Sequence, residues 1–167
     1  RLRDWGHVLS AHKGQASPCS WSLSKYAVEK TTFTAPKTLL SKAFGVQPIA
    51  VSLSQCGNFG FVGYSSGQLH KFNMQSGRHR GEFRHGTDSA HQGSVVGCAS
   101  GRFNRRVISA GCDGKLRIWG FKDGKCQCVF SLGSAATLIS LHRGNQLCAV
   151  ATDNLLVHVF DCDARRR

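Results

Sequence analysis

The sequence predicts an all-β fold assembled from consecutive four-stranded antiparallel units. The first observation is the stretch Val107–Gly120, where the apolar runs Val107–Ala110 and Leu116–Trp119 flank an Asp113-Gly114 turn. That pattern is a strong hairpin signal, because glycine accepts the positive φ a tight turn demands. The second is a repeat: the 25 residues Phe59–Phe83 align without a gap onto the 25 residues Arg106–Phe130, at a separation of 47. The third is that these segments alternate or run continuously apolar, with none of the 3.6-residue spacing of a helix.

Taken in order, residues 1–15 form a polar, turn-rich opening that includes Arg3-Asp4-Trp5. Two strand-like runs follow, Cys19–Leu23 and Ala27–Thr34, split by Ser24-Lys25; they read as a hairpin with no strand before it. Pro36–Pro48 carries Lys37, Lys42 and Leu39-Leu40 between two prolines and reads as a connection. The repeat then begins. In its two full copies Gly67 meets Gly114, Leu69 meets Leu116, Phe72 meets Trp119, Gly77 meets Gly124 and Phe83 meets Phe130. Each copy runs strand, small-residue turn, strand ending in an aromatic, glycine turn, strand. A third copy starts near Leu138 at a separation of 41 and places Val157, Val159 and Phe160 on Leu116, Ile118 and Trp119.

Self-similarity at this period, with four short strands per unit, is the pattern of β-propeller blades. The expected organisation is a partial blade with its lead-in over 1–35, a connection over 36–47, blades over 48–84 and 85–130, and an incomplete blade over 131–167. That makes about three consecutive four-stranded blades, an incomplete ring, since a closed propeller takes about four at the least. A blade buries its faces only against its neighbours, so the chain is expected to be part of a longer protein.

Composition suits a globular core: 167 residues, 41% hydrophobic, with 19 Gly, ten Phe and only three Pro. No apolar run approaches the ~20 residues of a membrane helix, so no membrane partner is expected, and the chain reads as soluble and intracellular. Charge is lopsided, with 22 Lys and Arg against 9 Asp and Glu, net +13. Such an excess suits nucleic acid, ribonucleoprotein or acidic protein partners, or else simply a solvated basic surface. The eight cysteines include no C-x-x-C pair, and Cys126 and Cys128 would share one strand face. Buried or half-buried free thiols are therefore expected, with no metal and no cofactor.

Within the best-formed unit, His91, Ser109, Asp113 and Trp119 stand out. His, Ser and Asp together invite a hydrolase reading by residue type. Ser109, however, lies inside a strand and lacks the G-x-S-x-G elbow that would expose its oxygen. Ala90-His91-Gln92-Gly93-Ser94-Val95, followed by Ser109, Asp113 and Trp119, instead resembles the WD-repeat family. That resemblance implies a structural tetrad of His91, Ser109, Asp113 and Trp119 inside the blade, and no catalysis. Ala90 replaces the usual Gly and Gly120 the usual Asp, while Phe160-Asp161 keeps an aromatic-Asp pair in the third copy. The middle copy has Phe72-Asn73, and Ser66 in place of the blade Asp, so one tetrad is complete.

The stretches Cys56–Phe59, Gly63–Gly67 and Asn73–Gly81 make the resemblance narrower. With the His91 segment they look like the tandem-propeller WD-repeat proteins associated with the U3 small nucleolar ribonucleoprotein. This implies a nucleolar, non-catalytic scaffold of the small-subunit processome, acting in pre-18S rRNA processing. Its partners would be other processome proteins and pre-rRNA or U3 small nucleolar RNA, the RNA met through backbone charge or indirectly, with no small-molecule substrate. The alternative in the same fold is an adaptor or substrate receptor of another complex, such as a ubiquitin ligase. In a WD-type blade with strands a to d, the a–b and c–d turns share one face. That scheme puts Arg102, Arg105, Arg106 and Arg143 at a–b turns, and Arg78, Lys122, Lys125 and Arg165–Arg167 at c–d turns. Asp113 falls on the other face. The basic face is the candidate contact for RNA phosphate or an acidic partner, the bland alternative being a merely solubilising one.

Overall fold

The computed structural model describes residues 4–34, 45–142, 144 and 146–163. Among these residues it is all-β, with four antiparallel sheets in chain order. The first holds β1 (Val8–Ser10), β2 (Cys19–Ser22) and β3 (Ala27–Val28). The second holds β4 (Pro48–Leu53), β5 (Phe59–Tyr64), β6 (Leu69–Asn73) and β7 (His79–Phe83). The third holds β8 (Val95–Ser100), β9 (Arg106–Gly111), β10 (Lys115–Gly120) and β11 (Cys126–Ser131). The fourth holds β12 (Ala136–Leu141), β13 (Leu147–Thr152) and β14 (Val157–Asp161). In every sheet each strand pairs with its sequence neighbour, the meander of propeller blades.

The repeat extends to register. Gly63 pairs with Leu69 as Ala110 pairs with Leu116, the same residues under the 47-residue offset. Bulges repeat too: the first strand of each later sheet shifts register between Pro48/Ala50, Val95/Gly97 and Ala136/Leu138. The shift between Lys71/Phe72 recurs between Ile118/Trp119. A bulge adds local twist at a set point, so recurring bulges make each sheet twist alike and stack on the last.

The N-terminal expectation needs correcting on two points. A strand does precede the hairpin, since β1 pairs with β2 from Val8↔Trp21 to Ser10↔Cys19. Its three residues are too few to display a period. The second run also yields only the short β3, after which the chain leaves the sheet and buries Phe33 edge-on against Phe72, centroids 5.9 Å apart. Residues 36–44, most of the expected connection, lie outside the described residues.

Side chains alternate between two cores, one on each side of a sheet. On β10, Leu116 and Ile118 join Cys148, Val150 and Phe160 of the fourth sheet. Trp119 turns the other way, joining Phe61, Leu69 and Phe83 of the second. A third cluster packs Leu9 and Phe33 against Val62, Tyr64, Phe72 and Met74. This explains the continuous apolar runs: a strand sandwiched between sheets has no wet face. Val157 and Val159 occupy the repeat positions of Leu116 and Ile118 on the fourth sheet, yet they are 66% and 51% exposed.

Sheets also meet through main chain. Gly67, with φ +85°, accepts a hydrogen bond from the His91 N–H at 2.9 Å, on the segment entering the third sheet. Gly114 repeats this with the Leu132 N–H at 2.8 Å. A Cβ on Gly67 would stand 2.0 Å from the His91 carbonyl oxygen, against 2.9 Å from the Ser134 oxygen for Gly114. Gly67→Ala is therefore expected to destabilise by about 1–3 kcal/mol, and by more than Gly114→Ala. Denaturant midpoints of the two variants check the order.

Candidate functional site

The His91, Ser109, Asp113 and Trp119 side chains form one buried, hydrogen-bonded chain in the third sheet. Trp119 Nε1–H donates to Ser109 Oγ at 2.8 Å, and Ser109 Oγ lies 2.7 Å from His91 Nε2. His91 Nδ1 lies 2.9 Å from Asp113 Oδ1. One tautomer satisfies every link: Nδ1–H donates to the carboxylate, while Nε2 accepts from the Ser109 hydroxyl. Asp113 Oδ1 also accepts from the Lys115 N–H at 3.3 Å and Oδ2 from the Gln92 N–H at 3.2 Å, fixing the turn.

A fifth member was hidden in the β10 run. Arg117 is buried and donates from Nη1 to Asp113 Oδ2 at 2.7 Å. Its Nη1 lies 2.8 Å from His91 Nδ1 as well, but that nitrogen's proton is committed to Asp113, so the carboxylate is its acceptor. Burial pushes the Asp113 carboxyl upward, but hydrogen bonds from His91 and Arg117 outweigh it and hold the group well below the usual carboxylate range. Burial depresses His91, against the opposing pull of Asp113. Chemically, the hydroxyl is shut in: Ser109 is fully buried, its oxygen already taken by Trp119 and His91.

The middle sheet keeps none of this. Val62 and Phe72 stand at the repeat positions of Ser109 and Trp119, and His70 stands at that of Arg117. His70 lies 2.8 Å from His79, Nδ1 to Nε2, in a cluster with Tyr64 and Phe72. Burial, then the charges of His79 and Arg84, hold His70 down at about 3.

The basic residues occupy the face opposite Asp113. The a–b turn of the third sheet is a short 3₁₀ segment, Arg102–Asn104, in which Phe103 has φ +57° and Asn104 has φ +51°. Its Arg105 carbonyl accepts from the Phe121 N–H at 3.0 Å, joining it to the c–d turn that carries Lys122 and Lys125. Arg78 sits at the c–d turn of the second sheet; it, Arg102, Arg105, Lys122 and Lys125 are exposed. Arg106 differs. It is half-buried and donates from Nη1 to the Cys162 carbonyl and to Asp163 Oδ1 at 3.0 Å, binding the fourth sheet to the third. Arg143 and Arg165–Arg167 lie outside the described residues.

Lys71 also escaped sequence reasoning, although the repeat places it on Ile118, a core position. Its ammonium donates to the Phe121 carbonyl at 2.6 Å and stands 5.2 Å from the Phe121 ring centroid, with Phe59 and Phe83 around it. Burial lowers its pKa, against the raising effect of Asp123. It pins the c–d turn of the third sheet to the second. The described cysteines are all free thiols and all buried or half-buried except Cys112, which is exposed.

Two outcomes follow from the buried cluster. Asp113→Asn leaves the Arg117 charge unpaired and is expected to cost about 3–5 kcal/mol in urea unfolding, while a serine-reactive phosphonate leaves Ser109 unlabelled in the parent protein. Acid should destabilise the fold. The histidines His70, His79 and His91 are depressed, so their contribution is complete above the unfolded value near 6.5 and is lost as pH falls, for His70 down to about 3. Asp113, also depressed, adds a loss below its ordinary range. Thermal midpoints recorded between neutral pH and about pH 4 test the sign, and His70→Phe should flatten the slope.

The full chain, residues 1–167, matches the family model of the WDR36/Utp21 second beta-propeller domain. It is 36% identical over 166 residues to WD repeat-containing protein 36 of Homo sapiens. It is 30% identical over 166 residues to U3 small nucleolar RNA-associated protein 21 of Saccharomyces cerevisiae. Each alignment takes in 99% of this chain but only 18% and 16% of those relatives, so the chain spans less than a fifth of their length. Among solved structures, that of U3-55K superposes with a TM-score of 0.75 at 19% identity, covering 94% of this chain and 46% of that one. The crystal structure of RRP9 WD40 repeats gives 0.74 at 20% identity, covering 94% and 45%. At such identity these two speak to the fold alone. On a family match that runs its whole length, the chain belongs to the WDR36/Utp21 second β-propeller domain family.

Proposed function

We propose that this chain is part of a non-catalytic scaffold of the U3 small nucleolar ribonucleoprotein and small-subunit processome, working in pre-18S rRNA processing in the nucleolus. The relatives' association with U3 small nucleolar RNA, stated in their names, supports that setting. The observation that carries the reading is the gathering of exposed cations on one face. Arg102 and Arg105 from an a–b turn, and Lys122 and Lys125 from the c–d turn bonded to it, are exposed together, with Arg78 on the neighbouring c–d turn. Lys and Arg on rigidly held turns suit phosphate, whose contacts position a protein without reading sequence. Pre-rRNA or U3 small nucleolar RNA, or an acidic surface of another processome protein, would meet this face. Arg106 belongs to the sheet interface and is left out of the contact set.

The buried tetrad supports a structural role for His91, Ser109, Asp113 and Trp119. A nucleophile must meet substrate, and Ser109 is sealed between two packed sheets with both neighbours already bonded. The tetrad instead ties the b–c turn to the segment that enters the blade, and so sets the angle at which the next sheet starts.

The face is tested by Arg102→Glu, Arg105→Glu and Lys122→Glu together in the full-length protein, leaving Arg106 intact. Gradient sedimentation should then find the protein released from U3 RNA-containing particles, more completely as salt rises. Co-sedimentation equal to that of the parent at every salt concentration would remove the face from the contact.

A further inference from the structure

One side chain on the basic face is out of keeping with a surface that only collects phosphate. Phe103 is 65% exposed, whereas the other phenylalanines among the described residues are buried or half-buried. The Arg102 guanidinium lies 4.8 Å from its ring centroid and that of Arg105 5.8 Å. The loop holding it is fixed from three directions. Arg102 N–H donates to Gln146 Oε1 at 2.8 Å, from the a–b connection of the fourth sheet. Phe103 N–H donates to Gln55 Oε1 at 3.0 Å, from the a–b turn of the second. The Arg105 carbonyl takes the Phe121 N–H. These bonds hold two consecutive residues at positive φ, a strained arrangement that an exposed loop would relax if left to itself. In the loop so held, the Phe103 ring is exposed.

Beside the ring lies a cavity of about 480 Å³, walled by Phe103, Arg105, Phe121, Lys122, Asp123 and Gln127. That volume falls within the range of small-ligand sites. Its floor is rigid, because Phe121 packs edge-on against Phe59 and Phe61 at 5.5 and 5.6 Å, and Lys71 grips its carbonyl from below. Asp123 Oδ1 accepts from the Lys125 N–H at 3.2 Å, which keeps a carboxylate within the wall. A phosphate is repelled by the Asp123 carboxylate and drawn to the Arg105 and Lys122 cations of the wall and to Arg102 beside Phe103. A flat ring with amino groups suits this lining, which offers the Phe103 ring for stacking and the Asp123 carboxylate as an acceptor.

We propose that this cavity binds one unpaired nucleotide of single-stranded RNA, its base stacked on Phe103 and its flanking phosphates at Arg102, Arg105 and Lys122. This rests on the reading of the basic face as an RNA contact and adds to it a preference for single strand over duplex. Stacking on an aromatic ring needs a base free of its partner, and a base in an A-form helix offers no open face.

The test uses the full-length protein and a fluorescein-labelled RNA of mixed sequence about 12 nucleotides long, single-stranded or annealed to its complement. Anisotropy titrations should give tighter binding to the single strand. Phe103→Ala should weaken that binding roughly tenfold while leaving the salt slope unchanged, because no phosphate contact is lost; Phe103→Trp should restore it. Lys122→Gln should lower the slope of log K against log salt by about 0.7 and weaken duplex and single strand alike. Phe103 is exposed, so unchanged thermal midpoints will certify the variants as folded. Unaltered affinity in Phe103→Ala, with Lys122→Gln still weakening, would overturn the stacking site and leave the basic face standing. If both variants bind RNA as the parent does, the face reading falls with it. Loss of co-purifying proteins in Phe103→Ala at undiminished RNA affinity would make the ring a protein contact and likewise overturn the proposal.

Discussion

Every feature of this chain depends on one constraint: each sheet is covered only by the sheets beside it. A β-sheet of this composition has two apolar faces, and no α-helix is present among the described residues to cover either. Leu116 and Ile118 can be buried only because Cys148, Val150 and Phe160 lie across from them, just as Trp119 requires Phe83. Folding is thus a sum of neighbour terms, and the loss of one interface exposes two faces. On the fourth sheet, Val157 and Val159 are exposed where their repeat equivalents are buried.

Polar groups inside such a stack must be satisfied within it. The third sheet does so for most of its groups with the Trp119–Ser109–His91–Asp113 chain closed by Arg117, whose Nη1 pairs with Asp113 while its buried Nε has no hydrogen-bond partner. The second sheet fills the corresponding positions with aromatic contacts and a neutral histidine pair, and leaves the Tyr64 hydroxyl and His70 Nε2 buried without a hydrogen bond. Both solutions fill the same space, which is why the repeat survives while its chemistry changes. Lys71 is a third device: a cation at a core-facing position whose long stem lies among rings while its head reaches a carbonyl of the next sheet. Buried ion pairs add little net stability over apolar packing, so their contribution here is to the geometry of the turns they hold.

Those turns divide the labour of the two faces. On the Asp113 side, the b–c turns are absorbed into contacts with the next sheet, as at Gly67 and Gly114. On the other, the a–b and c–d turns of the third sheet are tied by main chain to one another and by Gln55 and Gln146 to both neighbours, leaving their side chains outward. A surface organised by its own backbone loses little freedom on binding, so in the proposed contact the groups would already be in place. Arg106 marks the boundary, a basic residue drawn away from that surface to hold the Cys162 carbonyl and Asp163.

The all-β class, the repeat, its offset and the grouping of His91, Ser109, Asp113 and Trp119 were legible in the sequence alone. The first three depend on local periodicity or on one segment resembling another, the grouping on the resemblance to the WD-repeat family, and the 47-residue offset carried even the register of Leu69 and Leu116. Arg117 and Lys71 were readable in principle, as charges interrupting core-facing positions. The short β1, the fate of Arg106 and the setting of Phe103 were not. Val8–Ser10 is a strand only because β2 is there to pair with it, and Arg106 differs from Arg105 only in what the next sheet places beside it. Phe103 has no counterpart in the repeat, and its exposure follows from Gln55 and Gln146, 48 and 44 residues from the loop positions they hold. Periodicity records which face a residue takes within its own strand; contacts between sheets decide which of those residues remain exposed.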